Sequence, residues 1–137
     1  MPTVLSLSHL AIVFLGGGAG SVLRFCISTL VAERFGTAFP AATLGINVGG
    51  SFCIGAVVAL AGEQIGVLSP SWRLLLAVGF CGGFTTFSTF SLEIFTMLQS
   101  GRTALAAMYA AASLSLCVLG TASGLGMVYW YWKRFGA

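Results

Sequence analysis

An all-α membrane protein with four transmembrane helices is the fold class that three observations predict. The 137 residues are 58% hydrophobic and only 7% charged, whereas a soluble domain carries about 25% charged residues. Mean hydropathy is +1.02, so there is too little charge to cover a water-facing surface. Four apolar stretches, approximately residues 7–32, 41–61, 72–98 and 103–129, alternate with short polar or Gly/Pro-containing punctuation. Each is long enough to cross a hydrocarbon core of about 30 Å as a helix. The chain therefore reads as one transmembrane domain over residues 1–137. The formal net charge of +3 is scattered, with no basic run, which argues against a nucleic-acid partner.

The N-terminal stretch lacks the basic n-region of a signal peptide, and its apolar run is too long for an h-region, so it reads as a retained first span. Gly16, Gly17, Gly18 and Gly20 lie in its first half. Small residues let helix backbones approach closely in lipid. Arg24 lies well inside this span, where a charge costs about 2.5–3.5 kcal/mol on insertion scales. Two readings stand for it: snorkelling to the interface, or a fixed charge in a vestibule or buried structural contact. A loop at residues 33–36 leads through Pro40 to the second span, where Gly45 and Gly49 have GxxxG spacing. Asn47 is the single amide of that face. It needs partners for two donors and two acceptor lone pairs, supplied either by a neighbouring helix or by an anion.

After a loop at residues 63–71 comes the third span, and then a short turn at residues 99–102. In the fourth span Tyr109, Ser113 and Cys117 share one face at i, i+4, i+8. Trp130, Tyr131 and Trp132, followed by Lys133 and Arg134, form an interfacial belt with a basic end. Cys26, Cys53, Cys81 and Cys117 show no metal-ligand spacing and read as buried free thiols, Cys81 being conspicuous beside a glycine pair. Four spans put both termini on one side, with Arg73, Lys133 and Arg134 there and Arg34 and Arg102 opposite. Three against two barely orients the chain. Either so small a count carries no signal, or the protein inserts both ways and pairs as an antiparallel dimer.

The third span holds the chemistry. Residues 79–93 carry Gly82-Gly83, then Thr85, Thr86, Ser88, Thr89 and Ser91 interleaved with Phe84, Phe87 and Phe90, then Glu93. Glycine costs about 1 kcal/mol in a helix interior relative to alanine. Irregular backbone at membrane depth survives only where protein or a cavity satisfies it. The pattern predicts a helix broken mid-membrane at Gly82-Gly83 and restarted near Thr86. Carbonyls freed before the break suit a small hard cation, and amides freed after it suit an anion. Phe87 and Phe90 lie about 60° apart around the restarted helix. Phenylalanine edges are weakly positive, and with hydroxyl donors they would tolerate an anion without trapping it. The plainer alternative is that the rings pack and the hydroxyls bond back to preceding carbonyls.

The run Gly82-Gly83-Phe84-Thr85-Thr86-Phe87-Ser88-Thr89-Phe90-Ser91 followed by Glu93 closely resembles the signature of the Fluc (CrcB) family of small fluoride channels. Gly17-Gly18-Ala19-Gly20 with Arg24, and Gly45-Ile46-Asn47, are similar to that family's first- and second-span motifs. The resemblance implies an antiparallel, dual-topology homodimer in the inner membrane that exports fluoride passively. It implies a structural sodium ion at the dimer interface, held by backbone carbonyls of Gly82 and Thr85. It implies a fluoride pore lined by Asn47, Phe87, Phe90, Ser88, Thr89, Tyr109 and Ser113, with Arg24, Thr86 and Glu93 as vestibule or structural polar groups. Cys117 stands where some relatives have serine, and a thiol is the weaker donor. The expected partners are thus fluoride, a second copy of the chain and membrane lipid, with no chemical step and so no enzyme. Two rivals stand beside this reading: a small exporter that binds protons at Glu93, and a non-transporting assembly subunit that uses its glycine faces to hold a partner.

Overall fold

The computed structural model describes residues 6–136, which contain helices and connecting turns and no strand. Helix α1, Leu7–Phe35, is opened by Ser6, whose Oγ accepts the His9 amide at 3.2 Å. It is closed by Gly36, at a φ of 74° that favours glycine, with its N–H returned to the Ala32 carbonyl at 2.9 Å. Helix α2, Ala41–Ala61, starts directly after Pro40. The third span is composite. Ser69 and Pro70 initiate α3, Pro70–Arg73, which widens into a π-helix, Leu74–Cys81, and tightens again as α4, Gly82–Phe84. Thr85 and Thr86 are extended, and α5 then runs Phe87–Gln99. A turn through Gly101, φ 74°, returns the Arg102 amide to the Met97 carbonyl at 2.9 Å and leads to α6, Thr103–Phe135. Both α1 and α6 outrun the apolar spans expected for them, and basic residues sit in the added turns: Arg34 in α1, Lys133 and Arg134 in α6. Cations there complement the negative end of the helix dipole.

Four runs are long and apolar enough to cross a membrane: Leu7–Phe35, Ala41–Ala61, Pro70–Gln99 and Thr103–Phe135. Large side chains such as Phe14, Phe25, Phe95 and Leu119 are exposed, as a lipid-facing surface requires. Inside, α2 packs along α6, and α1 packs along the π-helix and α4. Both seams are built on backbone contact. On one, the Thr121 carbonyl occupies the space a Cβ would need at Gly55, and the Phe52 carbonyl does so at Gly124. On the other, the carbonyls of Leu75 and Phe80 fill those spaces at Gly16 and Gly20, and the Gly17 carbonyl fills the one at Gly83. Apolar side chains gain nothing from leaving lipid for protein, so close van der Waals approach is what holds such helices together.

Two glycine readings are corrected by this packing. Gly82-Gly83 does not break the helix: Gly82 has φ −64° and ψ −36°, and Gly83 lies within α4. The residues out of helical conformation are Thr85, ψ 160°, and Thr86, φ −150° and ψ 115°. Gly83 is small because α1 touches it. A Cβ at Gly45 or Gly49 would meet nothing from the rest of the chain within 4 Å, whereas one at Gly50 would meet the Thr85 methyl and the Phe84 ring. The packed side of α2 is therefore rotated away from its GxxxG pair.

Candidate functional site: a cavity beside the Thr85–Thr86 interruption

An interrupted helix leaves backbone groups without partners, and several of them here find one outside the helical ladder. The Asn47 amide on α2 clasps Thr86 on both sides. Its Oδ1 accepts the Thr86 N–H at 2.8 Å, and its Nδ2 donates to the Thr86 carbonyl at 3.0 Å. Thr86 also caps α5, its Oγ1 accepting the Thr89 amide at 3.2 Å and donating to Thr89 Oγ1 at 2.9 Å. Ser88 Oγ lies 3.3 Å from Thr86 Oγ1. Thr85 folds back instead, its amide and Oγ1 both donating to the Cys81 carbonyl at 3.0 and 2.9 Å. Arg24 reaches from α1, and its Nε donates to the Gly83 carbonyl at 3.1 Å, joined by Ser21 Oγ at 3.3 Å.

The carbonyls of Gly82 and Thr85 are left outside these contacts for a definite reason. In a continuous helix the Gly82 carbonyl would take the Thr86 amide and the Thr85 carbonyl would take the Thr89 amide. Both amides are diverted, one to Asn47 Oδ1 and the other to Thr86 Oγ1. Gly82 and Thr85 both line a cavity of about 370 Å³ whose wall also includes Asn47, Thr86, Phe87, Phe90 and Ser113. Its wall carries no charged side chain. Phe87 is 78% exposed in the single chain, and its ring centroid is 5.6 Å from that of Phe90. Ser113 is 5% exposed and its Oγ has no hydrogen-bond partner.

Tyr109 is placed differently from its helix-face neighbour Ser113. It is 1% exposed, with its ring between Phe39 and Phe90 at centroid distances of 5.7 and 5.2 Å. Its hydroxyl donates to Glu93 Oε2 at 2.7 Å, and Thr43 Oγ1 donates to Glu93 Oε1 at 2.6 Å. Glu93 thus ties α2, α5 and α6 together. With Thr89, Thr43 and Arg102 it lines a second cavity, also about 370 Å³. The central cavity therefore gathers Asn47, Phe87, Phe90, Ser113, Thr86, Gly82 and Thr85, and the second takes Thr89 and Glu93. Ser88, Tyr109 and Arg24 line neither, Arg24 being committed to the backbone of the third span. Thr43 and Ser21 were not singled out from the sequence. Thr43 had a readable signal, since it lies one turn before Asn47 on α2. Ser21, three residues before Arg24, becomes meaningful only once Gly83 is known to face α1.

The fold and these cavities define a multi-pass helical membrane protein with an uncharged, polar-and-aromatic hollow beside an interruption of its third span. The chain belongs to the CrcB family: the family model described as "CrcB-like protein, Camphor Resistance (CrcB)" matches residues 11–125. It is similar to a protein of Shewanella amazonensis named "Fluoride-specific ion channel FluC", 42% identical over 114 residues, 83% of this chain and 90% of that one. It is also similar to proteins of the same name from Serratia proteamaculans, 45% identical over 84% of this chain and 86% of that one, and from Trichormus variabilis, 42% identical over 88% of each.

Proposed function

We propose that this protein is a fluoride-specific ion channel of the inner membrane that lets fluoride leave the cell passively, with no chemical step. The observation that carries the reading is the Asn47 clasp on Thr86 beside the rings of Phe87 and Phe90, in a cavity without charged side chains. A small anion leaving water must recover hydrogen bonds. The donors on offer are the Asn47 amide, the hydroxyl of Ser113 and the first amides of α5, which have no helical partner by position. Phenylalanine edges add weak positive potential. With no charged side chain in the wall, no lysine or arginine holds the anion in a deep well. Chloride, larger and a weaker hydrogen-bond acceptor, recovers less of its hydration from such donors and should be excluded.

The functional unit in this reading is an antiparallel, dual-topology homodimer, with the Thr85–Thr86 interruption at the middle of the membrane. The outward exposure of Phe87 supports a second copy covering that surface. The carbonyls of Gly82 and Thr85, released by the two diverted amides, fit a hard monovalent cation, and the same pair from a second copy would complete an all-oxygen site. Bound there, a sodium ion would supply fixed positive charge near the path and join the two subunits. Glu93 acts as a tie in this scheme, because both its oxygens are already engaged by α2 and α6. A proton-coupled exporter would have to break that tie in each cycle.

The test is efflux from liposomes holding the purified protein, read with fluoride and chloride electrodes in parallel, with and without a pH gradient. Rapid fluoride loss with retained chloride and indifference to the gradient is expected. Comparable chloride loss, or dependence on the gradient, overturns the reading. In the same assay Phe87→Ile and Phe90→Ile should each slow fluoride about tenfold, a barrier increase of about 1.4 kcal/mol, from protein that still elutes as a folded dimer. Unchanged flux would remove that ring from the path.

A further inference from the structure

Two of the four cysteines line the central cavity: Cys81 from the end of the π-helix and Cys117 from α6. Cys81 is 3% exposed. Ser113, one turn before Cys117, lines the same cavity with its buried Oγ unpartnered. Cys26 and Cys53 are exposed and lie outside this cavity. A thiol is a weak hydrogen-bonding group but a strong ligand for soft metals. Among the described residues no three His, Cys, Asp or Glu side chains come together, so an ion needing four such ligands, such as zinc, is not served. The cavity offers sulfur from two helices, the uncommitted hydroxyls of Ser51 and Ser113, and two aromatic rings. That donor set suits a thiophilic ion satisfied by one or two ligands.

We propose that Cys81 and Cys117 make this cavity a binding site for a thiophilic metal ion of low coordination number, and that an ion seated there stops fluoride passage. The second half rests on the channel reading; the first does not. With mercuric chloride as the probe, a thiol S–H bond breaks and an S–Hg bond forms, while one chloride leaves the metal and departs with the proton as HCl. Nothing is oxidised or reduced. A second such exchange at the other thiol would release the remaining chloride. The probe is a neutral molecule, so it reaches the cavity through lipid without needing a cation path. Once bound, it places a heavy group against the wall that Asn47, Phe87 and Phe90 share.

The experiment uses the full chain carrying Cys26→Ala and Cys53→Ala, both outside the cavity, reconstituted in liposomes. Fluoride efflux is measured before mercuric chloride, after it, and after excess dithiothreitol. At least about a tenfold loss is expected, reversed by the thiol, with mercury found on Cys81 or Cys117 by mass spectrometry of the protein and its peptides. Adding Cys81→Ala and Cys117→Ser should abolish both adduct and block, each protein being compared with its own untreated rate. No adduct on either cysteine overturns the site. An adduct without loss of flux overturns the block, as does a block that persists without these cysteines. If the untreated protein passes no fluoride, the channel reading falls and the block with it, and the adduct alone then decides the site.

Discussion

Asn47→Asp should lower fluoride flux by at least about a hundredfold, equivalent to about 2.7 kcal/mol in the barrier. Two effects act together. The substitution removes the donor that now reaches the part-buried Thr86 carbonyl at 3.0 Å, and loss of a partner costs about 1–3 kcal/mol for a fully buried group and less for this one. It also sets a negative charge in the cavity wall. For an anion passing about 4 Å away at an effective dielectric of about 20, repulsion is on the order of 4 kcal/mol. The charge thus weighs more on conduction, and the lost clasp weighs more on folding. Asn47→Ala separates them, because it removes the clasp without adding charge. It should reduce the melting temperature in detergent while slowing fluoride less than the aspartate does. Flux of the aspartate variant within about twofold of the parent, well under 1 kcal/mol, would place Asn47 away from the path.

Gly83→Ala should destabilise the fold by about 3 kcal/mol, the upper end of the usual range for overpacking. A Cβ at residue 83 would collide with the Gly17 carbonyl oxygen and come within 2.9 Å of the Gly17 Cα. Both neighbours are backbone, so no side chain can rotate away, and the α1–α4 seam would have to open. Opening it also lengthens the Arg24 and Ser21 hydrogen bonds to the Gly83 carbonyl. Gly18→Ala, on the same stretch of α1 but with nothing within 4 Å of its Cβ position, is the control and should melt at or slightly above the parent, since alanine favours a helix interior over glycine. Thermal melting of the two proteins in detergent, followed by size-exclusion chromatography, checks the contrast. Equal melting temperatures would mean that the seam is not formed as described.

These glycines also show where sequence reading reached its limit. Class and span number were legible because hydropathy is a sum over many residues, and four apolar runs with polar punctuation leave few alternatives. The place of the interruption was legible only at its far end: the helix restarts near Thr86 as expected, but it does not break at Gly82-Gly83. A glycine that loosens a helix and a glycine that admits a neighbouring backbone are the same residue in the sequence. Only the position of Gly17 reveals that Gly83 serves the second purpose. The better local signal was Thr86, a hydroxyl residue suited to an N-cap with its bonding partner Thr89 three positions on. Membership of the central cavity was largely legible at Asn47, Phe87, Phe90 and Ser113, because polar and aromatic residues stand out against apolar spans. Tyr109 lies outside that cavity although it shares a helix face with Ser113. Its spacing from Ser113 fixes the helix face but not the rotamer, and the Glu93 carboxylate draws its hydroxyl away from the cavity. The π-helix over Leu74–Cys81 left no readable trace, since its eight apolar residues suit an α-helix equally well.

The Asn47 clasp has a consequence for how the protein is made. A carboxamide presents one acceptor and one donor in a plane, as a peptide unit does, so α2 lends the third span a substitute for the helical partners it lacks. That substitute is absent while the third span is alone in the bilayer. An isolated segment would be driven to close its own hydrogen bonds and run straight through Thr85 and Thr86. The opening in the helix is therefore a product of tertiary assembly, created when α2 docks, and the cavity beside it cannot exist before the bundle does.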